Sequence, residues 1–259
     1  MGRDDRRRAV VTGMGAITPI GNDVATFWGN LTAGVSGVAR IATYDPSAEE
    51  VQIAAEIKGF DPATWMDFKQ ARRMSRFSQI AVASAAQAIA DSGLEITDAN
   101  RDEIAVIVNT GGGGIGDVAN GERVFLEQGG KRVSPFMVPM LSPSMAACQI
   151  SIQNKLRGPV ITSVAACASG VQAFVEAQRL IEHGDVDVAI SGGTESAILP
   201  VAFAALATSR GLSNVNPTFV EPGNALAPTT TGGAVSAASV KVAVLLFVWA
   251  SPATKATRY

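Results

Sequence analysis

The sequence lacks the charge excess and the long apolar segment that mark proteins of nucleic acids and of membranes. The formal net charge is -2, from 21 basic and 23 acidic residues, which gives no general electrostatic attraction to nucleic acid or to an anionic membrane surface. The longest apolar run covers residues 242–250 and is about half of the roughly 20 residues that a membrane-spanning helix needs. We therefore expect no nucleic-acid partner and no membrane insertion.

Cysteine and histidine are also scarce. The two cysteines are Cys148 and Cys167, and no apolar signal segment follows the charged start of the chain. These features favour the cytoplasm, where reducing conditions keep cysteine as a thiol. The single histidine, His183, stands before Gly184 at the end of a predicted helix, where histidine most often interacts with the helix C-terminus.

The composition and the pattern of apolar residues indicate a globular α/β fold. With 259 residues, of which 47% are hydrophobic and 17% charged, the chain can bury a large core. Short apolar runs typical of strands alternate with segments of helical spacing, and this alternation predicts a parallel or mixed sheet covered by helices. We expect Gly13 and Gly15 to close the first strand. The predicted strands are residues 9–12, 104–108, 160–164 and 186–190, and the predicted helices start at Asn22, run from Lys69 to a stop at Gly93, and cover residues 117–128 and 168–182.

The composition changes near Gly211. No acidic residue follows Glu221, and residues 229–239 form a tract of Thr, Gly, Ala and Ser without a clear period. We therefore divide the chain into a domain of residues 1–211 and an aberrant tail of residues 212–259, and we expect residues 212–239 to be irregular. The apolar run of this tail is an aggregation hazard if no strand pairs with it.

Cys167 is the candidate nucleophile. It lies in residues 163–170, S-V-A-A-C-A-S-G, where a predicted strand ends and a helix begins. The first N–H groups of a helix have no partner within the helix and the helix dipole is positive there, so both stabilise a thiolate. Cys148 is a weaker candidate because it is expected in the middle of a helix. The alternative is that Cys167 is a small buried apolar residue, as most free cysteines are.

Short motifs around and upstream of Cys167 occur in a fixed order. They are V-V-T-G-M-G at residues 10–15, P-I-G at 19–21, R-R-M-S-R-F at 72–77, D-S-G-L at 91–94, S-P-F at 134–136, R-G-P at 157–159, A-C-A-S-G at 166–170 and S-G-G-T-E at 191–195. This series resembles the β-ketoacyl-acyl carrier protein synthases, or ketosynthases, and most closely the elongating type-II enzymes. The resemblance covers residues from about 8 to 211.

The resemblance implies a thiolase-like layered α/β fold, with a mixed sheet covered by helices, and a homodimer. It also implies a reaction in fatty-acid or polyketide synthesis. Cys167 would take an acyl group from acyl carrier protein, and the enolate of malonyl-carrier protein would then attack that thioester in a decarboxylative condensation. The N–H of Cys167 would be one donor to the oxygen of the tetrahedral intermediate. No cofactor and no metal are implied.

Two substrate-binding positions also follow from the resemblance. The loop that contains Gly112 borders the acyl pocket, and the family often has a bulkier side chain there, so Gly112 would remove one wall of the pocket. Phe136 resembles the residue that closes the partner subunit's pocket across the dimer. Its alternative interpretation is an ordinary buried aromatic residue.

The last part of the chain departs from the family. Decarboxylation in the family is assisted by two histidines and a lysine of its carboxy-terminal half, whereas this chain has only His183. The block R-P-F-D…D-G-F-V-x-G-E-G-A, expected soon after Pro217, is replaced by T-F-V-E-P-G at residues 218–223 and by the tract of small residues. We therefore expect this chain alone to be inactive in condensation, and a frame-shifted or misjoined tail.

Two alternative functions remain. One is a non-catalytic ketosynthase-like fragment that serves dimerisation or carrier binding. The other is a dinucleotide-binding oxidoreductase, because residues 110–116, T-G-G-G-G-I-G, contain the pattern G-x-G-x-x-G after a predicted strand. So many consecutive glycines satisfy that pattern almost automatically, and no clear second strand with an acidic end follows, so this alternative is the weaker of the two.

Overall fold

The computed structural model describes residues 7–212 and 244–250. Two compact units make up these residues. The larger unit comprises residues 7–36, 57–197 and 244–250, and the smaller unit comprises residues 37–56 and 198–212. The tract of small residues at 229–239 lies outside the described residues.

The described strands belong to two sheets. The strands are β1 Val10–Ile17, β2 Val38–Arg40, β3 Ile53–Ala55, β4 Ile104–Asn109, β5 Val160–Ile161, β6 Val188–Gly193 and β7 Val244–Ala250. The larger unit contains a five-stranded sheet in the order β1-β7-β6-β4-β5. Strand β4 is parallel to β5 and β6, whereas β7 is antiparallel to both β1 and β6. The predicted mixed sheet is therefore confirmed.

Helices lie on both faces of this sheet. The α-helices of the described residues are α1 Val24–Thr32, α2 Phe68–Ala71, α3 Arg76–Ser92, α4 Ile115–Gln128, α5 Met137–Leu141, α6 Met145–Asn154, α7 Ser169–His183 and α8 Pro200–Leu212. Ala105 and Ile107 of β4 pack in one cluster with buried residues of α7. The alternate residues of the same strand, Ile104, Val106 and Val108, are equally buried, and α6 also contacts β4. Because side chains alternate along a strand, β4 is covered on both faces and anchors the core.

Strand β1 continues through the two glycines that were expected to close it. A Cβ atom on Gly15 would lie 1.9 Å from the carbonyl oxygen of Ser84, and one on Gly13 would lie 2.4 Å from that of Ala88. Both carbonyls belong to α3. The glycines therefore allow the helix backbone to approach the strand, and the prediction that they end β1 is wrong.

Other predicted boundaries agree with the structure to different degrees. Gly93 and Gly184 end α3 and α7 in the left-handed conformation, with φ of 64° and 82°, as predicted from their positions. The long helix begins at Arg76 instead of Lys69, because α2 forms a separate turn capped by the Asp67 side chain. Strand β5 ends at Ile161 instead of residue 164, because the following residues bond to the end of β4 through side chains: Thr162 Oγ1 donates to the Val108 carbonyl and Ser163 N–H to Asn109 Oδ1.

The smaller unit has its own sheet and apolar cluster. Strands β2 and β3 form an antiparallel pair, and Ile41, Ala54 and Phe203 of α8 form a buried cluster. No helix within residues 7–212 is long and apolar enough to cross a membrane.

Candidate active site

Cys167 lies in a tight turn at the start of α7. A 3₁₀ turn, Ala166–Ala168, directly precedes the helix, and Ala166 has a φ of 48°. The left-handed region is unfavourable for residues that have a Cβ atom, so the surrounding structure must hold this conformation. Cys167 is exposed, whereas Cys148 is half-buried within α6. In this structure Cys167 is therefore not the small buried residue of the alternative interpretation.

Ser169 closes the turn from its helix side. Its hydroxyl oxygen accepts a hydrogen bond from the Ala165 N–H at 3.0 Å. The same hydroxyl group lies 2.7 Å from the carbonyl oxygen of Ala166 and 3.1 Å from that of Thr110, to which it donates. Ser169 is buried, so these bonds are shielded from water. The hydroxyl therefore joins the turn of Cys167 to the end of β4.

Asn109 connects the same turn to two further segments. Its fully buried side chain donates from Nδ2 to the Ser169 carbonyl at 3.1 Å and accepts at Oδ1 from the Ser163 N–H at 2.8 Å. Its backbone carbonyl accepts from the Thr194 N–H at 3.0 Å. Analysis of the sequence missed Asn109, although one signal was present: it is the polar residue that ends a wholly apolar strand.

The glycine loop after β4 is bonded to a carboxylate. Glu195 Oε2 accepts from the N–H groups of Gly111 and Gly112, at 3.1 and 2.8 Å, and from Thr110 Oγ1 at 3.2 Å. The amides of a dinucleotide-binding loop must instead face the pyrophosphate, and a carboxylate beside them repels a phosphate group. This arrangement argues against a dinucleotide site at residues 110–116.

The structure brings the glycine loop and the turn of Cys167 together. A Cβ atom on Gly111 would lie 3.4 Å from the carbonyl oxygen of Ala166, the residue before Cys167. A Cβ atom on Gly112 would lie 3.5 Å from Glu195 Oε1 and from Ile115 Cγ2, which are ordinary contact distances. A side chain at Gly112 would therefore fit without a clash, and glycine leaves that volume empty.

Phe136 is only partly buried in the described chain. It precedes α5, is 37% exposed, and has the Arg73 guanidinium carbon 5.0 Å from its ring centroid. A contact of this kind between a cation and an aromatic face is weakly attractive. The role of Phe136 across a dimer stays a prediction.

His183 and the R-G-P motif lie apart from the cysteine. His183 is the last residue of α7 and is exposed, and the length of this helix puts it about 20 Å from the end that carries Cys167. Arg157 makes a two-pronged ion pair with Asp102, with both N···O distances at 2.8 Å. The hydrogen bonds from Arg157 lower the pKa of the Asp102 carboxyl group. A Cβ atom on Gly158 would lie 2.3 Å from the carbonyl oxygen of Ile104, so this motif supports the start of β4.

Comparisons with known proteins agree in type. The sequence matches the family described as "Beta-ketoacyl synthase, N-terminal domain" over residues 6–245. It is 42% identical over 207 residues to a 3-oxoacyl-[acyl-carrier-protein] synthase 2 of Staphylococcus aureus, which covers 80% of this chain and 50% of that protein. A protein of the same name from Synechocystis is 41% identical over 209 residues, or 81% of this chain and 50% of that protein.

The fold is also similar to a solved structure. The structure described as "The ishigamide ketosynthase/chain length factor" has a TM-score of 0.80 to this chain at 26% sequence identity, and the match covers 98% of this chain and 60% of that one. The chain thus spans about half the length of the curated relatives that it matches. The family match extends to residue 245, beyond the last motif at residues 191–195.

Proposed function

Because this chain belongs to the β-ketoacyl synthase family, through the amino-terminal domain of that family, we propose that Cys167 is an acyl acceptor in fatty-acid or polyketide synthesis. The thiolase-like α/β fold agrees with this assignment. The observation that carries the proposal is the position of Cys167: an exposed thiol in a strained turn at the N-terminus of a fifteen-residue helix. Nucleophilic cysteines are found in such positions because the helix start stabilises the thiolate.

The proposed chemical step is the transfer of an acyl group between two thiols. The thiolate of Cys167 attacks the carbonyl carbon of an acyl thioester on acyl carrier protein, and the oxyanion of the tetrahedral intermediate accepts hydrogen bonds from backbone donors at the turn, with the Cys167 N–H as one of them. The intermediate then expels the thiolate of the carrier, which takes up a proton. The products are an acyl thioester at Cys167 and a free carrier thiol.

We propose acylation, without condensation, for this chain alone. Condensation also requires groups that stabilise the carbanion formed from the malonyl thioester. The single histidine of the sequence is at the far end of α7 from Cys167. Electrostatic donors of this kind are typically worth about 10²–10³ in rate each, so a chain without them is expected to stop at the acyl thioester.

Gly112 and Phe136 are proposed to contact the acyl chain. The loop of Gly112 lies against Ala166, next to the nucleophile, and has room for a side chain. Phe136 presents part of its ring to solvent, as a residue that contacts a second subunit must in an isolated chain. These positions agree with a pocket that starts at Cys167 and ends at a dimer contact.

The test is acylation followed by mass spectrometry of the intact chain. The wild-type protein, Cys167→Ala and Cys148→Ala are each incubated with octanoyl-acyl carrier protein. We expect one octanoyl group, removable by hydroxylamine, on the wild type and on Cys148→Ala, and none on Cys167→Ala. Acylation at Cys148, or a folded wild-type protein that reacts with iodoacetamide at Cys167 but never accepts the acyl group, would contradict the proposal. The second outcome would favour a non-catalytic fragment.

A further inference from the structure

Glu195 has a hydrogen-bonding role that the acyl-transfer proposal does not use. One carboxylate oxygen, Oε2, accepts three donors from the glycine loop, and the other, Oε1, accepts from the Ser196 N–H at 2.9 Å. Hydrogen bonds to an ionised carboxylate are about twice as strong as bonds between neutral groups. Glu195 is therefore the group that holds the backbone of Gly111 and Gly112 in place.

The base from which Glu195 acts is itself rigid. The Thr194 N–H donates to the Asn109 carbonyl at 3.0 Å, and Thr194 Oγ1 donates to the Phe77 carbonyl at 2.7 Å. Strand β6 also meets the first turn of α7 directly, because a Cβ atom on Gly193 would lie 2.7 Å from the Gly170 Cα. The backbone on both sides of this contact is thereby fixed before the Glu195 side chain extends from it.

A chain of bonds leads from Glu195 to the turn of Cys167. Thr110 is buried, donates from Oγ1 to Glu195 and accepts there from the Gly113 N–H at 3.1 Å. The carbonyl of Thr110 accepts from the hydroxyl of Ser169, and this hydroxyl also bonds to the Ala165 N–H and the Ala166 carbonyl. A displacement of the glycine loop would therefore remove one of the contacts that hold Ala166 in its left-handed conformation.

We propose that Glu195 is a positioning residue for Cys167: it holds the Thr110–Gly112 segment, and through Thr110 and Ser169 it holds the turn that presents the thiol at the start of α7. Glu195 does not act on the substrate. This inference deepens the acyl-transfer proposal, on which its functional meaning rests, but the reactivity of the thiol can be measured without any acyl substrate.

The test measures the rate of alkylation at both cysteines of the same molecule. Wild type, Glu195→Ala, Glu195→Gln and the control Glu182→Gln are treated with iodoacetamide well below their melting temperatures, and the second-order rate at each cysteine is obtained from peptide masses. Glu182 is exposed on α7 and bonds only to Gln178 of the same helix among the contacts seen here. The ratio of the Cys167 rate to the Cys148 rate removes general effects on the reagent and on the fold.

We expect Glu195→Ala to lower this ratio by about tenfold, a factor that corresponds to about 1.4 kcal/mol and to the usual cost of holding an alanine in the left-handed region. Glu195→Gln should restore part of the loss, because its carbonyl oxygen can still accept from the glycine loop, while its NH₂ group then faces the Ser196 N–H. Glu182→Gln should leave the ratio unchanged.

The result that would overturn the proposal is a lower melting temperature with an unchanged ratio, since this is the behaviour of a merely structural brace. If Glu195→Ala does not fold, Glu195→Gln decides the matter by the same ratio, and an unchanged ratio again refutes the proposal. Acyl transfer is measured separately. A wild type that fails to accept an acyl group, together with a lowered alkylation ratio in the variants, would refute the proposed function and leave the positioning role standing.

Discussion

Ending the chain after Leu212 would remove β7, the strand that joins β1 to the rest of the large sheet. Strand β7 pairs with β1 from Val10 to Ile17 and with β6 from Val188 to Gly192, and in the strand order β1 has no other neighbour. An antiparallel ladder makes on average one hydrogen bond per residue pair. The truncation therefore breaks about a dozen backbone bonds along two strands and exposes two strand edges.

The expected cost follows from these pairings. At the low end of the net contribution of a hydrogen bond, about 0.5 kcal/mol each, a dozen bonds amount to about 6 kcal/mol, before any loss of apolar packing. The whole stability of a typical domain is about 5–15 kcal/mol. We therefore expect the truncated chain to unfold or to aggregate, because the exposed edges of β1 and β6 are free to pair with other molecules.

The assay compares three chains by size-exclusion chromatography and by thermal unfolding followed with circular dichroism. The first is the full chain, the second ends after Leu212, and the third ends after Ala250, which keeps β7. A single substitution, Leu246→Pro, tests the same strand in the full-length chain, because Leu246 pairs with both Gly15 and Gly192 and proline is not tolerated in a central strand. The reasoning is refuted if the chain that ends after Leu212 is monomeric and melts within a few degrees of the chain that ends after Ala250.

Four further predictions address the fold, the pocket, the ion pair and the tail. Gly15→Ala should destabilise the protein by about 3 kcal/mol, because its Cβ would meet the backbone of α3, whereas Gly29→Ala, with no atom within 4 Å inside α1, should stabilise it by about 1 kcal/mol; equal melting temperatures would contradict this. Gly112→Ile should shift acylation of Cys167 toward shorter acyl groups by about tenfold, with unchanged iodoacetamide labelling as the control, and an unchanged chain-length preference would show that Gly112 does not line the pocket. Because Arg157 lowers the pKa of Asp102 in the folded state, its stabilising effect is present above the unfolded value of about 3.9 and is lost as the pH falls through the lower folded value, so the melting temperatures of the wild type and Asp102→Asn should differ near neutral pH and converge in acid. A difference that persists unchanged in acid would sink that explanation. For the tail, translation of the DNA beyond codon 211 in the other two frames should reveal motifs like R-P-F-D and G-E-G and a second half that contains histidine, and their absence from both frames would remove the frame-shift explanation.

Part of this molecule is determined by local signals in the sequence. Gly93 and Gly184 end their helices because a left-handed residue is needed there, and glycine adopts that conformation without a steric cost. Alternation of apolar runs and helical segments was sufficient to predict a mixed sheet covered by helices. The position of Cys167 at a helix start was also readable, because a nucleophile of this kind needs only the backbone of its own segment.

The contacts that hold the site were decided by the tertiary structure. Glu195 lies 83 positions along the chain from Gly112 and Asn109 lies 60 positions from Ser169, and no local pattern indicates which distant backbone groups such side chains will bond. The same limit explains the error at Gly13 and Gly15. Glycine can end a strand or admit a neighbouring backbone, and only the approach of α3 distinguishes the two.

Strand β7 shows most clearly what each level determined. The apolar, β-prone composition of residues 242–250 predicts a strand from sequence alone. Its place between β1 and β6 follows from pairings with strands about 55 and 230 residues earlier in the chain. Such pairings depend on which edges the rest of the fold leaves open, so the sequence determined that this segment needs a partner and the tertiary structure decided which strands provide it.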